Sequence, residues 1–462
     1  MNAEPFDLVV LGSGEAGKYL AWTLASQGKR AAVIERRYIG GSCPNIACLP
    51  SKNVIHSAKV ASLVSRAKEF GIDLPQGKID MSAVRERKRK MVEGLVAMHL
   101  HKYQSSGAEL IMGSGALIAP KTIEVALAGG GSRLLEGKDV VISTGSRARI
   151  DATPGLAQAK PLTHVEALEL DEVPKHLIVL GGGYIGLEFA QALRRFGAQV
   201  TIIERNGALI HREDKDVTDA IGQLFLDEGV ELILDTQIRR VEGISGASVR
   251  IHAMQGGKEI VIEGSHLLAA GGRTPNTDGI GLEKAGVEID PRGYVRVNPQ
   301  LQTTAPGVWA VGDCAGSPLF THIAFDDFRI VRDNLAGIKR VTTGRQVPFC
   351  LFTDPELARI GLSEKEAAEK NIGYRLVKVS MEAALRTRTL SETRGFMKAL
   401  IGADDRILGF TALGVEAGEV MAIVQTAMLG GLPFTALRDA IFTHPTMAEG
   451  LIALFSAIPT RH

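Results

Sequence analysis

The stretch FDLVVLGSGEAG, residues 6–17, decides the fold of this chain of 462 residues. An apolar run of strand character leads directly into a helical segment through Gly12, Gly14 and Gly17, and a second short strand then ends at Glu35. In such a βαβ unit the first glycine permits the turn, the second lets a pyrophosphate approach the backbone, and the third allows close helix packing. The unit predicts a dinucleotide site in which the phosphates lie at the helix N-terminus and Glu35 accepts hydrogen bonds from a ribose.

The same pattern recurs in the middle of the chain. An apolar strand leads into GGGYIG, which supplies Gly181, Gly183 and Gly186, and the following strand ends at Glu204. Two copies predict two dinucleotides bound by one chain. An acid at this position repels a 2′-phosphate, so Glu204 favours NADH. The neighbouring Arg205 could receive that phosphate, so NADPH stays open as an alternative.

Composition excludes several classes of function. Lys and Arg total 53 and Asp and Glu total 52, a net charge of +1 that provides no field for nucleic acid or an anionic membrane. The one basic run, RERKRK at residues 85–90, is interrupted by Glu86 and predicts a solvated helix face. No apolar run approaches the ~18 residues of a membrane span, and the first residues lack the order of a signal peptide. We expect a cytoplasmic protein of about three domains.

Two cysteines lie close together after the first βαβ unit, in the segment CPNIAC that contains Cys43 and Cys48. Five residues of an α-helix advance ~7.5 Å, beyond the usual Cα separation of a disulfide, so a bond requires a helix that starts distorted. Pro44 fits such a start because its missing N–H is harmless there. The spacing predicts a strained, reducible disulfide, with inert thiols or half of a zinc site as alternatives. Cys314 and Cys350 have no CxxC partner, which disfavours zinc, and each is interpreted as a small core side chain.

The order of these motifs resembles the flavoprotein disulfide reductases, a family that includes dihydrolipoamide dehydrogenase, glutathione reductase and mercuric reductase. The motifs are GSGEAG, the cysteine loop followed by LPSK, GGGYIG, a strand ending at Asp313, and HPTMAE at residues 444–449. The resemblance covers essentially the whole chain. It implies an α/β fold with two Rossmann-like dinucleotide-binding domains and a C-terminal α+β dimerisation domain. The implied boundaries are residues 1–150 and 275–340 for the FAD-binding domain, 151–274 for the NAD(P)-binding domain and 345–462 for the dimerisation domain.

The resemblance also implies a function and the roles of individual residues. Electrons would pass from NADH or NADPH through FAD to the Cys43–Cys48 disulfide, and then to a disulfide or a small thiol-reactive acceptor. Cys48 would face the flavin as the charge-transfer thiolate, and Cys43 would exchange with substrate. His444, oriented by Glu449, would act as the acid/base from the partner subunit of a homodimer. The resemblance further implies an ion pair of Lys52 with Glu188 near the flavin, Tyr184 as the cover of the nicotinamide pocket, and cofactor contacts from Gly41, Ser42, Lys52, Thr144, Gly145, Arg273 and Asp313.

Two segments, residues 320–331 and 385–395, look like the mercuric-reductase-like branch that includes the reactive-chlorine-resistance reductases, which act on hypothiocyanous acid or cupric ion. Pro44 and Ala47 depart from the family pattern beside the disulfide. The chain ends in AIPTRH, without the vicinal cysteines of true mercuric reductases, which disfavours mercuric reduction. Dihydrolipoamide dehydrogenase, a metal-ion reductase and a redox sensor without turnover remain alternatives, and no resident metal is expected.

Overall fold

The structure is a computed structural model that describes residues 2–74 and 77–459. Its first part carries four helices and six strands. They are β1 (Glu4–Leu11), α1 (Glu15–Ser26), β2 (Ala31–Glu35), α2 (Ser42–Asn45), α3 (Cys48–Ser65), α4 (Met81–Ser106), β3 (Glu109–Ala119), β4 (Thr122–Leu127), β5 (Ser132–Ile142) and β6 (Ser146–Ala148).

The middle of the chain forms a second α/β unit with an antiparallel extension. Its elements are α5 (His164–Ala167), β7 (His176–Leu180), α6 (Tyr184–Arg195), β8 (Gln199–Ile203), α7 (Lys215–Asp227), β9 (Glu231–Ile233), β10 (Thr236–Ile244), β11 (Ser248–Gln255), β12 (Lys258–Gly264), β13 (His266–Ala269) and β14 (Arg273–Pro275).

The chain then returns to the first unit before it builds a third. The returning elements are β15 (Val308–Ala310) and α8 (Thr321–Leu335). The third unit contains β16 (Phe349–Leu351), β17 (Glu356–Gly361), α9 (Glu364–Glu369), β18 (Arg375–Ser380), α10 (Arg386–Leu390), β19 (Phe396–Ile401), β20 (Ile407–Gly414), α11 (Ala417–Leu429), α12 (Thr435–Arg438) and α13 (Gly450–Ser456).

Sheet pairing explains why β1 and β7 are continuous apolar runs. β1 pairs in parallel with both β2 and β5, and β5 pairs in parallel with β15. In the second unit, β7 lies in parallel between β13 and β8. A strand in the middle of a parallel sheet is covered on both faces, so alternation of polar and apolar residues is lost. Leu8, Val9 and Val10 are accordingly fully buried.

The third unit is an antiparallel sheet in the order β16-β17-β20-β19-β18. α11 packs on β17 and β20, and Phe410 and Val424 are fully buried between them. Two parallel α/β units followed by this α+β unit confirm the predicted fold class. Among the described residues, no helix is long and apolar enough to cross a lipid bilayer.

The prediction for the basic run on α4 is wrong in part. Lys88 is only 2% exposed, and its ammonium binds Glu169 in the second unit. Arg89 binds the same carboxylate, and Arg85 binds Asp171. These basic side chains join α4 to the second unit, because the carboxylates that they bind belong to a segment about 80 residues further along the chain.

Candidate active site

The two glycine turns have the same backbone geometry. Gly12 and Gly181 adopt φ values of +99° and +111°, which favour glycine. A Cβ at Gly17 would lie 2.8 Å from the carbonyl oxygen of Gly12, and one at Gly186 would lie 2.1 Å from that of Gly181. The third glycine of each motif therefore packs the helix directly on the turn.

The acid that ends the second strand binds its own turn in both units. Glu35 accepts hydrogen bonds from the N–H and hydroxyl of Ser13, at 3.0 and 2.7 Å. Glu204 accepts one from the N–H of Gly182 at 2.7 Å and another from the N–H of Asn206 at 2.9 Å. Both carboxylates are buried. A ribose hydroxyl that binds either carboxylate would donate to oxygens that already accept hydrogen bonds from the turn.

Two cavities meet at the first glycine turn. The cysteine cavity, defined as the one that contains Cys43 and Cys48, has a volume of about 730 Å³, and the turn cavity over Gly12 and Glu35 has a volume of about 960 Å³. Because they share six lining residues, they form one continuous groove. The shared residues are Gly14, Ser42, Ile46, Ser143, Gly145 and His164.

The groove collects most of the predicted site residues. The cysteine cavity also contains Lys52, Gly183, Tyr184, Glu188, Arg273 and Asp313. The turn cavity also contains Gly41 and Thr144. Neither lining includes Gly17, Gly181, Gly186, Glu204, His444 or Glu449.

The groove fits an extended dinucleotide such as FAD. Gly41, with φ +84°, closes on the first turn so tightly that a Cβ there would lie 2.8 Å from the Cα of Gly14. Gly145, with φ +67°, has no atom within 4 Å of its Cβ position and leaves the shared section of the groove open. The N-terminus of α1 lies at the same section, where its free N–H groups suit phosphates.

A polar network fixes the wall where β15 ends. The Ser146 hydroxyl donates a short hydrogen bond to Asp313, and Nε of Arg273 donates to the Ser146 oxygen at 2.7 Å. Asp327, which is fully buried, accepts from the N–H of Gly312 at 2.8 Å. The Asp313 carboxylate is thereby held at the groove, where it could accept hydrogen bonds from a polyol chain.

The cysteine loop has the distorted helix start that a bond between the two cysteines would require. α2 ends at Asn45 and α3 begins at Cys48, and Ile46 and Ala47 break the helix between them with φ values of −140° and −132°. Pro44 lies in the first turn of α2, where its missing N–H leaves no hydrogen bond unmade. Both Cys43 and Cys48 are thiols in this structure.

The two thiols have opposite electrostatic environments. A hydrogen bond with the Cys43 thiol, the Thr321 hydroxyl 3.1 Å away and the charge of Lys52 lower the pKa of Cys48 to about 6, although burial opposes the change. The hydrogen bond with Cys48, burial and the Cys48 charge raise the pKa of Cys43. Cys48 is also the first residue of α3, where the helix dipole favours an anion. Cys48 is therefore the thiolate of the pair at neutral pH.

An ion pair closes one side of the cysteine cavity. Nζ of Lys52 lies 2.7 Å from Oε2 of Glu188, and Oε1 of Glu188 accepts from the N–H of Phe352 at 3.0 Å. The Lys52 ammonium also lies 4.7 Å from the centre of the Phe352 ring. The lysine is thus fixed one helical turn after Cys48, with its charge available to the thiolate.

Aromatic rings line the side of the cavity next to the second glycine turn. The Tyr184 ring centroid lies 6.3 Å from that of Phe320 and 5.7 Å from that of Phe349, and burial raises the pKa of Tyr184. Gly183, the residue before it, has no atom within 4 Å of its Cβ position. An open turn beside aromatic side chains suits a nicotinamide nucleotide.

His444 and Glu449 lie elsewhere on the surface of the same chain. Nδ1 of His444 is 2.9 Å from the Glu449 carboxylate, and the His444 side chain is 68% exposed. Neither residue lines the cysteine cavity. This placement leaves the pair free to meet the cysteines of a second copy.

Several residues of the groove were not predicted. Ser146, His164 and Thr321 line the groove, but no short-range pattern in the sequence marks them as site residues. The interpretation of Cys350 as a core side chain is wrong in part, since it lines the cysteine cavity. Cys314 is fully buried, as expected.

One acidic cluster has the geometry of a metal site, formed by Asp214, Asp216 and Glu364. The ammonium of Lys398, which is fully buried, lies 2.7 to 2.8 Å from all three carboxylates. The cluster therefore binds a lysine and ties the second unit to the third.

Comparisons with known proteins agree with this architecture. The family described as pyridine nucleotide-disulphide oxidoreductase matches residues 6–327, and its dimerisation domain matches residues 347–454. A probable pyridine nucleotide-disulfide oxidoreductase of Escherichia coli, RclA, is 35% identical over 98% of this chain and 99% of its own length. A mercuric reductase of Staphylococcus aureus is 33% identical over 96% of this chain and 81% of its own length.

A solved structure is similar over the same extent. The Cu(II) complex of the HOCl-induced flavoprotein disulfide reductase RclA from Escherichia coli superimposes with a TM-score of 0.89 at 35% identity, covering 99% of both chains. The two proteins thus share a fold over nearly their whole length. This chain is a member of the pyridine nucleotide-disulphide oxidoreductase family and an oxidoreductase of the flavoprotein disulfide reductase type.

Proposed function

We propose that this enzyme uses NADH and FAD to reduce a disulfide or a small thiol-reactive acceptor through the Cys43–Cys48 couple. The observation that carries the proposal is a thiol of low pKa next to a thiol of raised pKa, in a cavity continuous with the first glycine turn. The family depends on FAD and a nicotinamide nucleotide. When bound, FAD accepts two electrons from the reduced nucleotide and makes them available to a disulfide.

The two cysteines divide the exchange chemistry between them. The Cys43 sulfur, as a thiolate, attacks one sulfur of the acceptor disulfide, and a mixed disulfide forms while the other half leaves as a thiolate that takes up a proton. The Cys48 thiolate then attacks the Cys43 sulfur, which releases the second half and closes the Cys43–Cys48 bond. The low pKa of Cys48 keeps it ready for this second step.

The cycle requires a group that removes the proton from Cys43, and the two histidines in the described lining of the cysteine cavity, His164 and His322, are weak bases because burial lowers their pKa values. The matching dimerisation domain at residues 347–454 supports a homodimer. We infer that His444 of a second copy removes the proton from Cys43 and returns it to the leaving thiolate, with Glu449 fixing the ring 2.9 Å away. The exposure of His444 in one chain supports this role.

The preference for NADH rests on Glu204. Its buried carboxylate lies at the second turn, where it would repel a 2′-phosphate. Arg205 is exposed directly after it and is the residue through which NADPH would bind. The sequence-based expectation of a cytoplasmic location stays a prediction.

Anaerobic spectroscopy tests the cysteine couple. We expect NADH to produce a long-wavelength absorbance from the Cys48 thiolate beside the flavin. Cys43→Ser should retain a thiolate band and lose disulfide reduction, whereas Cys48→Ser should lose both. An active preparation that shows no such band, or a Cys43→Ser variant that reduces disulfides at the wild-type rate, would contradict the proposal.

Reduction of cupric ion is a second candidate, because the solved E. coli relative is described as a Cu(II) complex. Steady-state NADH oxidation with lipoamide, glutathione disulfide, hypothiocyanite, Hg(II) and Cu(II) separates the candidates. Loss of Cu(II) reduction in Cys43→Ser would assign it to the thiols. A rate near zero with every acceptor would favour a sensor without turnover.

A further inference from the structure

Glu15 is a carboxylate in the wall of the cysteine cavity that the proposed chemistry does not use. It is the first residue of α1, and its side chain is 18% exposed. Nζ of Lys18 lies 2.7 Å from it, but Lys18 is 3% exposed and also donates to the carbonyl oxygen of Gly40 at 3.1 Å. The lysine does not line the cavity, so the carboxylate is the member of this ion pair that an incoming molecule would contact.

Backbone packing places Glu15 near the exchanging thiol. Gly41 closes on Gly14, where a Cβ at Gly41 would lie 2.8 Å from the Gly14 Cα. Glu15 follows Gly14 directly, and Cys43 comes two residues after Gly41, so both project from segments in contact. Their proximity is also electrostatic: the pKa of Cys43 is raised mainly by its hydrogen bond with Cys48 and by burial, and the Glu15 charge raises it further.

The other lining charges do not balance this carboxylate. Lys52 pairs with Glu188, and Arg273 lies 3.7 Å from Asp313. His164 and His322 have lowered pKa values because of burial and add no positive charge at neutral pH. Within the described residues that line the cavity, the carboxylates without a cationic partner in the same lining are Glu15, Glu356 and Glu419.

We propose that Glu15 makes the enzyme select neutral and cationic acceptors over anionic ones at Cys43. The inference rests on the proposed disulfide reductase function and adds the charge class of its substrate. A like charge at the entrance of a partly enclosed site lowers both the encounter rate and the affinity of an anion, and it favours a cation by the same interaction.

Three small disulfides that differ mainly in charge test the proposal. Cystamine is cationic, bis(2-hydroxyethyl) disulfide is neutral and 3,3′-dithiodipropionate is anionic. For the wild type we expect kcat/KM to be highest with cystamine and lowest with 3,3′-dithiodipropionate. Glu15→Gln should reduce the ratio of kcat/KM for cystamine to kcat/KM for 3,3′-dithiodipropionate by about tenfold. Glu124→Gln, on an exposed β4 position outside both cavities, is the matched control and should leave the ratio unchanged.

A second measurement needs no turnover. Cationic and anionic methanethiosulfonates react with a thiolate by forming a disulfide to its sulfur and releasing methanesulfinate. Peptide mass spectrometry then gives the rate of labelling at Cys43 in a Cys48→Ser background, where no second thiolate can displace the label by closing the Cys43–Cys48 bond. We expect the trimethylammonium reagent to label Cys43 faster than the sulfonate reagent, and Glu15→Gln to narrow the difference.

The outcomes separate this inference from the function on which it rests. The role of Glu15 would be overturned if the wild-type kcat/KM did not depend on the charge of the disulfide. It would also be overturned if Glu15→Gln left the charge dependence of kcat/KM unchanged. Absence of any Cys43-dependent turnover would instead refute the proposed function, while the labelling experiment would still report on Glu15.

Discussion

The two glycine turns share a backbone and differ in what surrounds them. In each, the first glycine has a positive φ and the acid of the next strand accepts a hydrogen bond from the turn. A Cβ at Gly14 would lie 3.1 Å from Oγ of Ser143, whereas one at Gly183 would meet no atom within 4 Å. At this second glycine the first turn is enclosed by another segment of the chain, and the second turn is open.

This difference matches the two kinds of nucleotide that the family uses. A nucleotide at the first turn would contact the turn, the loop at Gly41 and the strand end at Ser143, so its release requires several segments to separate. A nucleotide at the second turn meets an open N-terminus of α6 and can exchange in every cycle. We propose that the first turn binds the resident cofactor and the second turn the nucleotide substrate, according to their neighbours.

The largest expected effect comes from closing the enclosed turn. A Cβ at Gly12 would lie 2.4 Å from the carbonyl oxygen of Ser143, and the φ of +99° is itself unfavourable for alanine. We expect Gly12→Ala to lower the free energy of unfolding by about 2 to 4 kcal/mol and to abolish flavin retention. Chemical denaturation and the absorbance of the purified protein measure the two effects.

Gly183→Ala is a change at the second turn, at the position that corresponds to Gly14 of the first turn. Since its Cβ meets nothing in the chain, the free energy of unfolding should change by less than about 0.5 kcal/mol and the flavin content should stay the same. The KM for NADH should rise, because the methyl group would occupy the space of a pyrophosphate. Equal loss of flavin from both variants would show that the two turns are not distinct.

An intermediate effect is expected at the cysteine end of the groove. The pKa of Cys48 is lowered to about 6, so the long-wavelength thiolate absorbance of the reduced holoenzyme should be present at neutral pH and disappear as the pH falls through 6. Thr321→Val removes a hydroxyl 3.1 Å from the sulfur and should move that midpoint upward by about one unit. Thr321→Ser should restore it. If the midpoint is unchanged in Thr321→Val, the Thr321 hydroxyl does not lower the pKa of Cys48.

The smallest expected effect concerns nucleotide choice at the open turn. Arg205 is exposed, and a charge-assisted contact with a 2′-phosphate at such a position is worth about 1 kcal/mol. Arg205→Gln should therefore raise the KM for NADPH about fivefold and leave that for NADH unchanged. Steady-state kinetics with both nucleotides measures this, and an equal effect on the two would place Arg205 outside the phosphate site.

Local patterns predicted much of the fold. The second strand of the first unit ends at Glu35, as its sequence predicts, and both glycine motifs lie at strand-to-helix turns. The cysteine spacing required a distorted helix, and the chain breaks the helix at Ile46 and Ala47. Each of these features depends on a few consecutive residues, so it can be predicted from the local sequence.

Contacts between distant segments could not be predicted in the same way. The basic run on α4 looks solvated until Glu169 is placed against Lys88. Thr321 looks like an ordinary helix residue until Cys48 lies 3.1 Å from it, although 273 positions separate them. Such pairings depend on how three units pack.

By itself the sequence determined the type of each unit, the two turns able to bind nucleotides and the pair of cysteines able to exchange, because periodicity and backbone requirements act over a few residues. The tertiary structure alone decided how closely each turn is surrounded, which charges and hydroxyls lie around the two thiols, and which carboxylates line the cysteine cavity. Those properties arise from charges and walls supplied by segments far apart in the chain, whose positions follow only from packing.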